Sequence, residues 1–423
     1  MIESIFSALM YPFLFLSMYF QVLLFISLFE NTKKIKDEEK LTITRYPHVT
    51  IAVPCWNESS TIGGTVESLM ALEYPKEKLH IVIVDNNSTD NTQKIAGDLK
   101  KKYPESIEVL LESKQGKHHA VNRALEVSDS ELFGCLDADS FVAPKALATI
   151  VAYFEHNKEA KAVTPCIHIR NPHTVIQRMQ AVEYLMGVFL RKSFGQLDAI
   201  QVTPGPFSIF KKEEVFGVLG GYKKAHNTED FEITLRMHKS HMKIMNSHKA
   251  LVYTVGPSTA KGFFYQRLRW ARGFLENTLD YKELFFKKKY GNFGMFTLPM
   301  AFIFMFYGLY AALFAFYTLL KMVWLRIELW LTVGVHPQLP SFDIFYLNTT
   351  VMAFIAMVML TMFLVVMYIG NILSDDKQEL YKNFPFFFVL YPLFVPFFIG
   401  RAIFDTFTKR KNSWVLQDTK QSM

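Results

Sequence analysis

Two common nucleotide-binding signatures are missing from the sequence. No G-x-G-x-x-G follows a predicted strand, and no G-x-x-x-x-G-K-[ST] occurs anywhere in the 423 residues. The glycine pair in "STIGGT" only enters a predicted helix. These absences argue against a dinucleotide-binding oxidoreductase and against a P-loop nucleotidase.

Cysteine is scarce, and so are the features of a cleaved signal peptide. Cys55, Cys135 and Cys166 are the three cysteines, and their spacing matches no paired metal-ligand pattern. A cleaved signal begins with basic residues and ends in small ones, whereas Glu3 precedes the first apolar run here and "ENTKKIK" follows it. We therefore predict reduced thiols and a retained membrane anchor.

Charge is rare in four long apolar stretches. The first, residues 5–29, has no charged residue and is long enough to cross a hydrocarbon layer of about 30 Å as a helix. Apolar character returns in three further predicted membrane segments, at 295–320, 349–370 and 384–406. Three prolines interrupt the last segment, so a re-entrant segment is its second interpretation.

The charges beside these segments predict their orientation. Lysines in "ENTKKIK" follow the first segment, so the positive-inside rule places them and residues 31–290 in the cytoplasm. Residues 322–336 are apolar but contain Arg326 and Glu328, which favours the membrane interface over a crossing. Four crossings would put the basic residues 409–411 outside, against the same rule, so the C-terminal side stays open.

The polar stretch alternates between strand and helix from residue 49 to residue 156. Apolar runs such as "VTIAVP", "LHIVIVD" and "IEVLL" are typical of strands, and they are separated by helical patterns. This alternation predicts an α/β layer with a mainly parallel sheet that is buried on both faces. Ligands of such sheets bind at the carboxyl ends of the strands.

Three carboxylates lie at predicted strand ends. Asp85 closes "LHIVIVD", and Asp137 and Asp139 close "LFGCLDAD". Side chains two residues apart on an extended chain point to the same side, so Asp137 and Asp139 can converge on one hard cation. An isolated D-x-D is more often a turn that caps a helix, but the position after a buried strand favours the metal site.

Two further polar segments allow a structural and a functional interpretation each. Lys117, in "SKQGKHHAVNRAL", lies where a helix begins, which suits either an anion or an ordinary solvated turn. In "HNTEDFEITLRMH", Thr228 is a predicted N-cap, and Glu229 and Asp230 complement the positive end of the helix dipole. One of these two carboxylates could instead act as a general base, and spacing alone does not decide.

Two predicted helices carry basic residues. The helix over 174–197 has an apolar stripe, with Arg178, Arg191 and Lys192 near its polar face, and suits a core-facing or an interfacial helix. The helix over 257–286 suits a basic amphipathic helix that binds anionic lipid. That interpretation does not explain the i, i+3, i+4 spacing of its "QRLRW" motif, which puts Gln266, Arg269 and Trp270 on one helix face. Arg267 and Arg272 lie on other faces of the helix, where we expect them to contact lipid headgroups.

The motifs "DNNSTD", "DAD", "TED" and "QRLRW" together resemble the processive family-2 glycosyltransferases. That group includes cellulose, chitin, hyaluronan and poly-N-acetylglucosamine synthases, and a short chain with one N-terminal anchor is more similar to the last type. The resemblance implies an α/β GT-A domain facing the cytoplasm beside α-helical transmembrane segments in the plasma membrane. The expected division is an anchor at 1–30, the GT-A domain at 45–256, an interfacial region at 257–290 and transmembrane helices at 295–406.

The resemblance also implies roles for particular residues. Transfer would proceed with inversion from a UDP-sugar, UDP-N-acetylglucosamine being one candidate, and with Mg²⁺ or Mn²⁺. Asp137 and Asp139 would bind the metal, and Asp230, beside Glu229, would take the acceptor proton. The nucleotide sugar and the acceptor would contact Asn57, Glu58, Asp85, Lys117, Asp137, Gln266, Arg269, Trp270 and the segment "TPGPFSIF" at 203–210. The first motif reads "CWNE", which departs from many relatives.

The partners implied are a UDP-sugar, a polysaccharide or lipid-linked acceptor and the lipid bilayer, with no nucleic acid and with accessory subunits undetermined. Two other functions are consistent with the motifs. Transfer of one sugar to a membrane lipid would give a small organic-soluble product. A nucleotide-sugar-binding transporter without catalysis is disfavoured because Asp137, Asp139 and Asp230 are all present.

Overall fold

The central element of the protein is an eight-stranded sheet. The computed structural model describes residues 2–334, 351–376 and 380–409. The strands lie in the order β3-β2-β1-β4-β7-β6-β8-β5. They are β1 (Val49–Cys55), β2 (Leu79–Asp85), β3 (Ile107–Leu111), β4 (Leu132–Cys135), β5 (Ser140–Val142), β6 (Ala160–Ile169), β7 (Ile209–Lys211) and β8 (Lys243–Thr254).

Helices connect the strands and cover both faces of the sheet. The first ten are α1 (Ile2–Glu30), α2 (Thr32–Glu38), α3 (Ile62–Met70), α4 (Thr92–Lys102), α5 (Lys117–Val127), α6 (Ala146–His156), α7 (Val175–Gln196), α8 (Lys212–Leu219), α9 (Glu229–Lys239) and α10 (Ala260–Asp280). The last three are α11 (Leu298–Val333), α12 (Val351–Leu373) and α13 (Leu380–Phe407). The predicted α/β layer with a mainly parallel sheet, accompanied by long apolar helices, is confirmed.

Strand pairing in the first half of the domain is parallel, as predicted. β1 lies between β2 and β4 and pairs in parallel with both, and β2 pairs in parallel with β3. The sheet is mixed farther along, because β7 is antiparallel to both β4 and β6. Alternate residues of β1 enter separate cores: Ile51 and Val53 pack on one face, and Ala52 packs on the other. Burial of both faces explains the nearly continuous apolar strands.

Within the described residues, four helices are long and apolar enough to cross a membrane. They cover Leu9–Glu30, Phe293–Val333, Ala353–Leu373 and Lys382–Phe407. The sequence prediction separated 322–336 from the preceding span, but the structure continues α11 without a break to Val333. At about 1.5 Å per residue this helix is longer than a hydrocarbon layer of about 30 Å. Residues 335 and 336 lie outside the described residues.

The C-terminal segment is one continuous helix. Pro385, Pro392 and Pro396 all lie inside α13, which has 28 residues. The expected interruption at these prolines is therefore wrong, and the length suits a crossing better than a re-entrant segment. Of the basic residues at 409–411, residues 410 and 411 lie outside the part of the chain that the structure describes, as do 349 and 350 of the predicted third segment.

Helix α7 joins the sheet domain to the apolar helices. It contacts β6 and β8 on one side and α1, α12 and α13 on the other. Gly370 lets α12 approach closely, because a β-carbon there would lie 2.4 Å from the carbonyl oxygen of Leu185. The core-facing interpretation of 174–197 is confirmed, because its apolar stripe faces a core. The helix also lies against the candidate membrane helices, and the interfacial interpretation stays a prediction.

Lys192 contradicts the predicted polar face of α7. Its side chain is 1% exposed and forms an ion pair with Glu38 of α2. The Oη of Tyr153 donates a hydrogen bond to the same carboxylate at 3.2 Å. Burial lowers the pKa of Lys192, and the charge of Glu38 opposes that effect. A charged residue could be placed here only because Glu38, 154 positions earlier, supplies the opposite charge.

Replacing Lys192 by Met is expected to destabilise the fold by about 3–5 kcal/mol, because Glu38 would stay buried without its partner. Thermal unfolding of the detergent-solubilised protein would measure the loss. Lys161→Met is the matched control: its ion pair with Glu214 is partly exposed, at 29% and 45%, and should be worth about 1 kcal/mol or less. Equal shifts of the unfolding midpoint in the two variants would contradict a special role of the buried pair.

Candidate active site

The predicted strand ends meet at one edge of the sheet. Cys55, the last residue of β1, lies opposite Asp85, the last residue of β2. On the other side of β1, Ala52 lies opposite Cys135, the last residue of β4. The loops that follow these strands therefore start side by side and bring their polar residues together. All three cysteines are free and buried, in agreement with the predicted reduced state.

Asn57 and Glu58 organise the loops at this edge. Asn57 has a left-handed φ of 57°, and its Oδ1 accepts a hydrogen bond from the backbone N–H of Thr89 at 2.8 Å. The backbone N–H of Glu58 donates to Thr92 at 2.8 Å, and its carboxylate accepts from Thr61 at 2.6 Å. These contacts connect the loop after β1 to the loop after β2, where a nucleotide is predicted to bind.

Asp85 has an unused hydrogen-bond acceptor. The residue is 3% exposed, and its Oδ1 atom is buried without a hydrogen-bond partner among the described residues. A buried carboxylate oxygen in this condition is costly unless a ligand supplies a donor. The arrangement is compatible with the expected contact of Asp85 with the nucleotide sugar, which stays a prediction.

Asn86 and Asp90 also lie at this edge, although they are not among the predicted site residues. The Nδ2 of Asn86 donates to the carbonyls of Glu112 at 2.9 Å and Lys114 at 2.7 Å, and its Oδ1 accepts from Gly116 N–H at 2.7 Å. Asp90 accepts from the backbone N–H of Thr92 at 2.9 Å. Both residues stand inside "DNNSTDNT", where the density of Asn, Asp and Ser was the available signal of side-chain to backbone bonding.

Lys117 lies at the centre of a charged cluster. Its Nζ is 2.6 Å from Asp137 Oδ1 and 3.0 Å from Glu229 Oε1. Burial disfavours the ammonium form, but the two carboxylates keep the pKa of Lys117 well above its ordinary value. Gly205 lies directly against the pair, because a β-carbon there would be 2.7 Å from Lys117 Nζ and 3.3 Å from Asp137 Oδ2. The 203–210 segment thus packs directly on this ion pair.

The two aspartates of the D-x-D come together through a turn rather than along an extended strand, which corrects the geometric argument from the sequence. β4 ends at Cys135, and the N–H of Ser140 donates to the carbonyl of Asp137 at 2.9 Å. Burial, followed by the charge of Asp137, raises the pKa of Asp139 to about 6. The neighbouring carboxylates of Asp137 and Asp139 suit a cation, which would offset their repulsion. In the described part of the chain, no group of three or more His, Cys, Asp or Glu side chains could hold a metal ion by itself.

Glu229 and Asp230 begin α9 and line the same small pocket as Lys117, Thr203 and Tyr222. Burial raises the pKa of Asp230 to about 6, and the neighbouring charge of Glu229 acts in the same direction. Burial also acts on Glu229, but Lys117 outweighs it and holds the pKa of Glu229 below its usual value. The two adjacent carboxylates therefore differ: Glu229 stays ionised beside Lys117, whereas Asp230 exchanges its proton near neutral pH.

The predicted capping role of Thr228 is wrong. Thr228 occupies the N-cap position of α9, but its side chain makes no capping hydrogen bond. Its Oγ1 instead donates to the carbonyl of Ala225 at 3.3 Å and accepts from Asn277 Nδ2 at 2.8 Å. The hydroxyl therefore connects the start of α9 to α10.

Helix α10 brings "QRLRW" to the charged cluster. Arg269 acts electrostatically on Glu229 and makes no hydrogen bond or ion pair with the described residues. Trp270 is 37% exposed, which leaves one ring face available for an apolar or sugar contact. The Oε1 of Gln266 accepts a hydrogen bond from Arg267 at 2.7 Å. Arg269 therefore lies near Glu229, and Gln266 and Trp270 lie on the same helix face as Arg269.

Arg267 and Arg272 do not face lipid headgroups, so that expectation is wrong. Arg267 is 3% exposed and forms an ion pair with Glu183 of α7. Its guanidinium lies over the rings of Phe263 at 4.7 Å and Trp270 at 4.2 Å. Arg272 is also buried, and its Nε donates to Glu276 at 2.7 Å. Both arginines are internal: Arg267 supports Trp270, and Arg272 supports the second half of α10.

A mostly parallel α/β sheet with acidic residues at the ends of β2 and β4 defines this chain as a GT-A glycosyltransferase. The model of the family described as "Glycosyltransferase like family 2" matches residues 47–273. The chain belongs to that family. The match includes every residue of the cluster described above and ends within α10.

Several curated relatives are named poly-beta-1,6-N-acetyl-D-glucosamine synthase. The protein of that name from Staphylococcus epidermidis is 32% identical over 227 residues, which cover 53% of this chain and 54% of the relative. That from Staphylococcus aureus strain COL is 30% identical over 294 residues, 69% of each chain. In the first of these comparisons, the chain thus spans about half the length of the relative.

A solved structure supports the fold across almost the whole chain. The mannosyltransferase PcManGT from Pyrobaculum calidifontis, solved in complex with GDP-Man and Mn²⁺, superposes with a TM-score of 0.58. The comparison covers 94% of this chain and 99% of that one, at 17% sequence identity. The shared architecture includes both the GT-A domain and the helices outside it, whereas the low identity carries no information on the sugar.

Proposed function

We propose that this enzyme transfers N-acetylglucosamine from a UDP-sugar to a growing β-linked polysaccharide at the plasma membrane. The catalytic domain faces the cytoplasm, where nucleotide sugars are made, and the four apolar helices hold it in the bilayer and assist export of the product. Support comes from the family, from relatives named as poly-beta-1,6-N-acetyl-D-glucosamine synthases and from four membrane-length helices.

The observation that carries the proposal is the partly buried cluster of Lys117, Asp137 and Glu229 with Asp230 beside it. A cation between carboxylates suits a diphosphate, which can compete with the acids for the ammonium group. A carboxylate with a raised pKa next to it suits a general base. Anion binding and proton removal are the two tasks of a transfer from a nucleoside diphosphate.

The reaction proposed is a single displacement. Asp230 accepts the proton of the acceptor hydroxyl while the acceptor oxygen forms a bond to the anomeric carbon of the donor sugar. The bond between that carbon and the diphosphate oxygen breaks at the same time, and UDP leaves with the electron pair. Lys117 and Arg269 stabilise the negative charge that develops on the leaving group. Attack opposite the leaving group inverts the anomeric configuration.

The nucleotide and acceptor contacts proposed use the remaining site residues. Asp85, Asn57 and Glu58 contact the nucleoside at the edge formed by β1 and β2. Trp270, supported by Arg267, stacks on the acceptor sugar, and Gln266 binds beside it. Phe263 of the same helix packs against Tyr391 of α13 with ring centroids 6.2 Å apart, so the acceptor side of the site adjoins a candidate membrane helix.

The donor atoms at the D-x-D fit a divalent cation such as Mg²⁺ or Mn²⁺. Asp139, with Asp137 next to it, offers the carboxylate oxygens that hard cations prefer, and burial followed by the charge of Asp137 raises the pKa of Asp139. A bound cation would offset negative charge on the diphosphate. Asp137 would contact both the cation and Lys117, and its ion pair with Lys117 keeps the Asp137 carboxylate oriented toward the site.

The pH dependence of turnover follows from Asp230. A base must be ionised to accept a proton, and the pKa of Asp230 is raised to about 6. We therefore expect kcat/KM to rise about tenfold per pH unit below pH 6 and to level off above it. Steady-state rates between pH 4.5 and 8 would test this expectation. If kcat/KM stayed constant down to pH 5, so that its fall were centred near pH 4, Asp230 would not be the base.

The donor can be identified by release of nucleoside diphosphate. Membranes or detergent-purified enzyme would receive a panel of UDP- and GDP-sugars with Mg²⁺, with Mn²⁺ or with chelator. The proposal expects UDP release from UDP-N-acetylglucosamine that depends on a divalent cation and requires Asp230. Turnover of a GDP-sugar alone, or full activity in chelator, would overturn the donor or the metal assignment respectively.

A further inference from the structure

The turn before Glu229 and Asp230 has an unusual backbone. Ala225, His226 and Asn227 have φ values of 44°, 52° and 66°, so three consecutive non-glycine residues are left-handed. L-residues other than glycine rarely adopt this conformation, because their β-carbon crowds the following carbonyl oxygen. A strained backbone of this kind persists only where its surroundings hold it, and such places cluster at functional sites.

Asn277 of α10 holds this turn in place. The residue is 1% exposed, and its Nδ2 lies 3.0 Å from the carbonyl oxygen of Ala225 and 2.8 Å from Thr228 Oγ1. The same atom donates to the carbonyl of Gly273 at 2.9 Å, within its own helix. One buried amide therefore connects both ends of the left-handed turn to α10, immediately before the two carboxylates.

Gly273 permits the contact between the turn and the helix. A β-carbon at this position would lie 2.2 Å from Thr228 Oγ1 and 2.4 Å from its Cγ2. No side-chain carbon tolerates such distances, so any substitution must push Thr228 away from α10. Thr228 directly precedes Glu229 and Asp230, and a displacement there moves the start of α9.

His226 adds a second attachment to the same helix. Its ring nitrogens lie 3.0 Å from Glu276 Oε2 and 2.8 Å from Asp280 Oδ2. The ring is 37% exposed, so these ion pairs contribute less than the buried amide. Glu276 is itself oriented by Arg272. The turn at 225–227 is therefore attached to two successive turns of α10, through Glu276 and Asn277 and through Asp280.

We propose that Gly273 and Asn277 are positioning residues that set the place of Asp230 relative to Arg269. The proposal rests on the proposed function, because it takes Asp230 as the base and Arg269 as the cation at the leaving group. Arg269 stands one turn before Gly273 on α10, so one rigid helix carries the cation and also holds the turn before the base. A shift of about 1 Å at such a site can cost on the order of 100-fold in rate.

Asn277→Leu tests the amide contacts. We expect kcat to fall about 10- to 100-fold, while KM for the UDP-sugar changes by less than about threefold, because the nucleotide edge at Asp85 is untouched. Asn246→Leu is the matched control, since Asn246 is 5% exposed and its Nδ2 also lies near three acceptors, at 3.1–3.3 Å. A similar loss of kcat in both variants at equal loss of thermal stability would overturn the proposal.

Gly273→Ala tests the same contact from the helix side. It should reduce kcat about 10- to 100-fold while UDP binding is intact, because the new β-carbon displaces Thr228 and with it the start of α9. Unchanged kcat in Gly273→Ala would overturn the positioning role. An inactive wild-type enzyme would instead count against the proposed function, so the two failures are distinct.

Discussion

Asp230→Asn is expected to reduce glycosyl transfer by about 10²- to 10⁴-fold, the range typical of a lost general base. Asn preserves the size and one acceptor oxygen of the side chain but accepts no proton at neutral pH. Affinity for UDP should change little, because we assign Asp230 to the acceptor and Lys117 contacts Asp137 and Glu229 rather than Asp230. Initial rates and calorimetric UDP binding on the same preparation would measure both quantities.

A matched substitution separates this effect from general loss of charge. Asp98→Asn removes a carboxylate that is 59% exposed on α4 and that pairs with the nearby Lys101. Its activity should stay within about twofold of the wild type, since exposed pairs contribute little. If Asp230→Asn retained more than about a tenth of the wild-type rate, the assignment of the base would be wrong.

Arg269→Ala is expected to have the second largest effect, a loss of about 10²- to 10³-fold in kcat. The guanidinium acts on Glu229, and it makes no hydrogen bond within the described part of the chain that the proposed diphosphate would have to replace. Arg269→Lys should recover part of the rate, because the charge is kept while the planar fork is lost. Single-turnover rates with saturating UDP-sugar would separate this loss from weaker binding.

Arg123→Ala is the control for Arg269. Arg123 is 44% exposed on α5 and pairs with Glu126 one turn away, so its removal should leave the rate within about twofold. Arg267→Ala should instead resemble Arg269→Ala in direction, because Arg267 supports the ring of Trp270 and the amide of Gln266. Wild-type activity in Arg269→Ala would exclude a role for this guanidinium at the leaving group.

Much of the domain architecture could be predicted because its signals are local. The β1 to α6 region alternates between buried strands and amphipathic helices, and each type has its own periodicity. The position of β7 could not be predicted in the same way. It has only three residues, Ile209–Lys211, and it enters the sheet antiparallel between β4 and β6 through pairings with distant residues. Short strands defined by tertiary pairing leave little trace in sequence.

The candidate site likewise has some features that local sequence patterns predict and others that depend on residues far away in the sequence. The helix periodicity of α10 put Gln266, Arg269 and Trp270 on one face, and the structure keeps them there. The environment of Arg267 was predicted wrongly, because its partner Glu183 lies 84 residues earlier on α7. The left-handed turn at 225–227 was not anticipated either, since it contains no glycine and is held by Asn277.

The product made from UDP-N-acetylglucosamine tests the central claim most directly. Purified enzyme in lipid vesicles would receive radiolabelled donor and divalent cation, and the product would be sized before and after digestion with a β-N-acetylglucosaminidase. The account predicts a water-soluble polymer of high mass that the glycosidase degrades and that Asp230→Asn does not make. Label found only in free sugar, or in an organic-soluble lipid with one sugar, would contradict it.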